Sequence, residues 1–134
     1  MNYRTGQTHY LVHPRKNAQQ FQDFLRQLLE FNSERKLVLV IDNASYHRTR
    51  AVLALLEDHA DHVLIVWLPR YSPELNLIEG LWGYLKRSSL NNYFFGDVES
   101  LQRAIVDTFD DLNQHPQTTL SLAYHSATRL RKSA

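Results

Sequence analysis

The chain has 134 residues, 43% of them apolar and 22% charged, which suits one soluble globular domain with a real core and excludes a disordered chain. Fifteen Lys and Arg stand against fourteen Asp and Glu, and a net charge of +1 does not by itself argue for nucleic acid. The lack of cysteine excludes a disulfide framework and a thiolate metal site, and no run reaches the roughly 18 apolar residues of a membrane span. The opening MNYRTGQTHY has no apolar signal region, so a cytoplasmic protein is the default expectation.

Taken in chain order, Arg4 to Gln7, with Gly6, read as a hairpin turn, with Asn2 and Tyr3 a stub before it and a strand from Thr8 to His13 after it. Asn17, with Gln20 three residues on, predicts a helix start. Phe21, Phe24, Leu25, Leu28 and Leu29 carry helical spacing to about Phe31. After the polar connection Asn32 to Lys36, the continuous run Leu37 to Ile41 reads as a strand buried on both faces. A second helix is expected from Thr49 to about His59, with Val52, Leu53, Leu55 and Leu56 inward. Val63 to Leu68 is a second buried strand, and Pro69 to Pro73 a loop.

A third helix is expected from Asn76 or Leu77 to about Arg87, with Leu77, Ile78, Leu81, Trp82 and Leu85 on its apolar face. Asn91 to Gly96 is a loop carrying aromatics. Asp97 predicts the cap of a fourth helix, Val98 to Asn113, with Leu101, Ile105, Phe109 and Leu112 inside. Pro116 breaks the chain, and a last helix runs from about Leu120 to Leu130. Strands alternating with helices imply an α/β fold with a largely parallel sheet, and ligands of such sheets lie beyond the carboxyl ends of the strands.

Asp42 falls at such an end, directly after LVLVI, where an acid can stay solvated or bind a cation. The plainer alternative is a residue that only turns the chain, since Asp-Asn is good turn chemistry. Glu79 lies a few residues inside the third helix, with Gly83 and Lys86 on its side. A glycine within a helix costs roughly 1 kcal/mol relative to alanine, which close approach of a backbone or ligand beside Glu79 would explain. The alternative is a solvated glutamate favoured by the helix dipole. Glu74 competes with Glu79 as the acid and is ranked second.

His47, five residues after Asp42, could orient a phosphate or a water, or could have no ligand at all. His59 and His62 have ligand-like spacing but sit among charged residues and read as surface. Trp67 and Trp82 read as core aromatics. Tyr93, Phe94 and Phe95 form a tip that could stack on bases, although packing on the neighbouring helix is the simpler reading. Basic pairs follow the two acids: Arg48 and Arg50, then Lys86 and Arg87, with Arg129, Arg131 and Lys132 at the end. With Arg70 and His47, the first two pairs are candidate contacts to a DNA backbone.

DNASYH after a strand, followed by LPRYSPELNLIEGLWGYLK, closely resembles the catalytic core of mariner-like transposases and related bacterial insertion-sequence transposases, members of the DDE superfamily with an RNase H-like fold. The family pattern is roughly LPxYSPxLNPIExxWxxLK, and Leu77 stands where proline is usual. The 36 residues between Asp42 and Glu79 match the family spacing, and the resemblance extends over essentially the whole chain, the NYRTGQ segment included. It implies that Asp42 and Glu79 are the second and third catalytic acids and metal ligands, that Glu74 is not catalytic, and that two Mg²⁺ or Mn²⁺ ions serve the complete enzyme. One ion would activate water or a DNA 3′-hydroxyl and the other would stabilise the leaving oxygen.

The family's first acid lies on a strand preceding the hairpin. The sequence has no acid before Asp23, which falls in an amphipathic helix, and the helix-turn-helix domains that precede the core in the family are expected to be lacking as well. The expectation is a single domain over 1–134, a partial DDE endonuclease/transposase core. Its fold would be RNase H-like but incomplete, lacking the first strand, a mixed sheet flanked by helices. Metal binding would be weak or absent, and the isolated chain inactive or nearly so in DNA cleavage and strand transfer. An edge left open on the Asp42 strand would be filled by the chain's own N-terminal strand or by a second copy. The alternative is a non-catalytic interaction module that assembles with a separately encoded N-terminal transposase part or inhibits full-length transposase. A metal-dependent phosphohydrolase built on Asp42 is a third reading, weakened because no phosphate-binding glycine loop is visible among four glycines.

Overall fold

The helical spacing of Phe21 through Leu29 becomes α1, Ala18–Phe31, in the computed structural model, which describes residues 1–70, 72, 75–91 and 93–130, the last six by backbone alone. Asn17 caps α1 by accepting the Gln20 N–H at 2.9 Å. The return half of a capping box is absent, because the Gln20 Oε1 is buried without a partner among the described residues. The chain divides into two units, His13–Ser72 and Met1–Val12 with Pro73–Ala134.

In the unit His13–Ser72, β1 (Leu37–Ile41) pairs in parallel with β2 (Val63–Trp67), from Leu37 opposite Val63 to Ile41 opposite Trp67. The Leu68 N–H bonds the Ile41 carbonyl at 2.9 Å, so pairing continues one residue past β2. Between the strands come a 3-10 turn, Ser45–Arg48, and α2, Arg50–Glu57. Leu25, Leu29, Val52, Leu56 and Val63 form the core, with Leu37, Leu39 and Ile65 packed on it.

The expectation that both strands are buried on two faces is corrected. Helices cover one face only, and the alternate residues Val38, Val40, Leu64 and Val66 are exposed, Val38 and Leu64 at 62% each. Apolar character marks both faces of a strand alike, so the run LVLVI could not tell a covered face from a bare one. The sheet has two strands among the described residues, so the chain's N-terminal segment does not fill its edge. Leu53, expected inward, is exposed on α2.

In the other unit, the turn at Arg4 to Gln7 forms: Asn2 N–H donates to the Gln7 carbonyl and Gly6 N–H to the Asn2 carbonyl. Gly6 has φ of +79°, and a Cβ there would lie 2.1 Å from the Pro116 carbonyl oxygen. The strand expected over Thr8 to His13 does not form. At its first residue the ladder groups are taken by a side chain instead. Asn113 Oδ1 accepts from the Thr8 N–H at 2.7 Å and its hydroxyl at 2.8 Å, while Asn113 Nδ2 donates to the Thr8 carbonyl at 3.0 Å. Tyr10 then stacks on Phe109, ring centres 4.6 Å apart.

α3 covers Glu79–Leu85 and passes into a single π turn, Lys86–Leu90, so Glu79 opens the helix instead of lying inside it. α4, Val98–Gln114, is capped by Asp97, which accepts the Ser100 N–H at 2.6 Å. α5, Pro116–Leu130, starts four residues earlier than expected. Pro116 does not break the chain but begins the helix, where its missing N–H costs nothing. Leu81, Leu85, Phe109 and Leu112 form this unit's core. Trp82 is exposed at the core's margin, and Phe94, expected to pack on a helix, is 99% exposed. Glu74, Arg131 and Lys132 lie outside the described residues, as does the side chain of Arg129.

Candidate functional site

The carboxyl end of β1 is held by its own sequence, DNASYHR. Asp42 leaves the strand with a side chain 48% exposed, and its Oδ1 accepts the Ala44 N–H at 3.0 Å. The 3-10 turn then carries His47 back, and its Nδ1 meets the same Oδ1 at 2.7 Å. A carboxylate can only accept, so Nδ1 bears the hydrogen and donates. His47 is 13% exposed in its side chain and is enclosed by rings: Phe21 of α1 at 4.1 Å between centres and Tyr46 at 4.3 Å. Burial, together with the Asp42 carboxylate, raises the Tyr46 phenol above its usual pKa.

A second set of contacts ties the β1 end to the β2 end. Asn43 donates to the Leu68 carbonyl, and its Oδ1 accepts from Arg48 at 2.6 Å. The Arg48 guanidinium lies over the Trp67 ring, 4.9 Å from its centre, a cation–π contact. Trp67 is therefore a platform for Arg48 as well as a packing residue. Sequence reading missed the supporting roles of Phe21, Asn43 and Trp67. The signal for Asn43 lay inside the motif: the five-residue step from Asn43 to Arg48 repeats that from Asp42 to His47, and a tight turn closes both.

Of the basic candidates in this unit, His47 and Arg48 are occupied by these contacts, while Arg50 at the start of α2 and Arg70 beyond β2 are exposed. His59 and His62 each use one ring nitrogen on a backbone carbonyl, of Leu55 and Asn32 respectively.

Glu79, in the other unit, is exposed in the first turn of α3, and no hydrogen bond or ion pair of its side chain occurs among the described residues. Lys86 and Arg87 are exposed on the π turn. Gly83 has a local explanation: a Cβ there would lie 3.1 Å from Arg87 Nη1, so the space beside it holds a guanidinium.

The described hydrogen bonds of the Asp42 side chain fall on Oδ1, with His47 Nδ1 also 3.4 Å from the Asp42 backbone carbonyl, and Oδ2 is left open to water. An exposed carboxylate oxygen and an exposed glutamate are donors that a hard divalent cation accepts alongside its own waters. The donor chemistry fits such an ion, although no group of three or more His, Asp or Glu arranged to hold a metal occurs among the described residues.

Residues 1–102 match the family described as DDE superfamily endonuclease, and the chain belongs to that family. Membership implies an RNase H-like fold, a transposase-type function and DNA as the molecule acted on. An "Uncharacterized protein y4pE/y4sA" of Sinorhizobium fredii is 25% identical over 120 residues, which covers 89% of this chain and 85% of the relative. No solved structure matches the chain significantly. Among the described residues no helix is long and apolar enough to cross a membrane.

Proposed function

We propose that the chain serves metal-dependent DNA cleavage and strand transfer in transposition, with Asp42 and Glu79 as its catalytic carboxylates. The observation that carries this reading is Asp42 itself, at the carboxyl end of a parallel strand, with one oxygen held by two N–H donors and the other open. Asp42 Oδ2 and the Glu79 carboxylate would hold Mg²⁺ or Mn²⁺. A bound divalent cation supplies Lewis acidity at the scissile phosphate and at the attacking oxygen. The exposed Arg50, Arg70, Lys86 and Arg87 are suited to the phosphate backbone, whose binding weakens steeply with salt.

A second reading has its own support. The apolar sheet face of Val38, Val40, Leu64 and Val66 and the unpaired strand edges favour assembly with another polypeptide, either a separately encoded transposase part or a second copy. A nicking and strand-transfer assay with Mn²⁺ separates the two. Product from the wild type that is lost in Asp42→Ala supports the catalytic reading, and equal product from Asp42→Ala overturns it. No product from the chain alone, with activity appearing when a separately encoded transposase part is added, supports the assembly reading.

A further inference from the structure

We infer that His47 is a positioning residue for Asp42: its Nδ1–H fixes Asp42 Oδ1 so that Oδ2 is presented to a divalent cation. The inference rests on the reading of Asp42 as a metal ligand and goes beyond it by giving His47 a role distinct from contact with DNA.

Three observations carry it. The Nδ1 to Oδ1 distance of 2.7 Å is that of a strong, charge-assisted hydrogen bond. The ring is enclosed by Phe21 and Tyr46 and is only 13% exposed, so it is poorly placed for a phosphate and well placed to stay still. Ala44 N–H adds a second donor to the same oxygen, so both constraints act on one side of the carboxylate. A carboxylate fixed through one oxygen loses rotational freedom before any ion arrives. Outer hydrogen-bond partners of metal ligands characteristically contribute in this way. The chain of support runs from α1, through Phe21, to His47 and then to Asp42.

The test is calorimetric titration with Mn²⁺ of the wild type, Asp42→Asn, His47→Leu and His47→Asn. Leu keeps bulk and removes the donor, whereas Asn keeps a donor close to the Nδ1 position. His47→Leu is expected to weaken Mn²⁺ binding about ten-fold or more, and His47→Asn to restore most of that loss. Wild-type affinity in His47→Leu overturns the proposal, and so does a loss in His47→Asn equal to that in His47→Leu. If Asp42→Asn leaves Mn²⁺ binding unchanged, or the wild type binds none, the metal-ligand reading of Asp42 fails first and this one with it. A long-range ¹H–¹⁵N spectrum of the imidazole decides independently of variant folding and of metal. Nδ1–H is expected, and an Nε2–H tautomer overturns the proposal.

Discussion

The two acids singled out by sequence are held in opposite ways. Asp42 is gripped at one oxygen by a backbone amide and an enclosed imidazole. Glu79 stands exposed at the first turn of α3, with no described side-chain partner. The units around them differ as well. One is a two-stranded parallel sheet under α1 and α2, the other a helical layer clasped by an N-terminal segment that makes no strand. The contrast shows how far a short motif goes: both donors to Asp42 come from the six residues DNASYH, with Phe21 of α1 closing over the imidazole, whereas a glutamate at a helix start is steered only by that helix.

The largest effect expected is at Gly6. Gly6→Ala puts a Cβ 2.1 Å from a backbone oxygen of Pro116 at a positive φ, and should cost at least about 2 kcal/mol. Hydrogen exchange should place the loss in α4 and α5, and unchanged protection there would break the picture of a clasp. Leu25→Ala is the matching probe of the sheet unit, where a residue 1% exposed is truncated. It should cost about 2–5 kcal/mol in denaturant unfolding, with protection lost first in β1 and β2.

Asn113→Ala comes next. It strips Thr8 of partners for its N–H, its hydroxyl and its carbonyl, and should cost about 1–3 kcal/mol. A neutral result would mean that water replaces the side chain at no cost. Gly83→Ala should stabilise by about 0.5–1 kcal/mol, because the neighbour that must yield is the end of a flexible arginine. A lower melting temperature would show Arg87 to be fixed in place.

The smallest effect is a pH dependence. Burial, the hydrogen bond to Asp110 and the Asp110 and Asp107 charges push the Tyr10 phenol up to about 12 from its ordinary 10.0. A raised folded pKa means that the stabilisation is complete below pH 10 and is lost as pH rises from there towards 12. Tyr10→Phe should flatten that part of the stability profile, and a profile identical to the wild type would remove Tyr10 from the account.

The sequence by itself determined most local structure. Helical spacing located α1 and α4, the capping residues Asn17 and Asp97 do bond three residues on, and the apolar runs mark β1 and β2. The DDE family was also legible, because its two motifs are long and specific. Tertiary structure alone decided what lies beside each element. At Thr8, the expected start of a strand, Asn113, over a hundred residues away, takes the backbone hydrogen bonds that a strand partner would have made. The outer face of the sheet is bare because the helices of that unit cover only the other. His47 turns out to serve Asp42 because Phe21, from a different helix, closes over its ring. Spacing along a chain records which residues repeat on a face. It does not record which distant group will meet that face, and the brace on Asp42 depends on such a meeting.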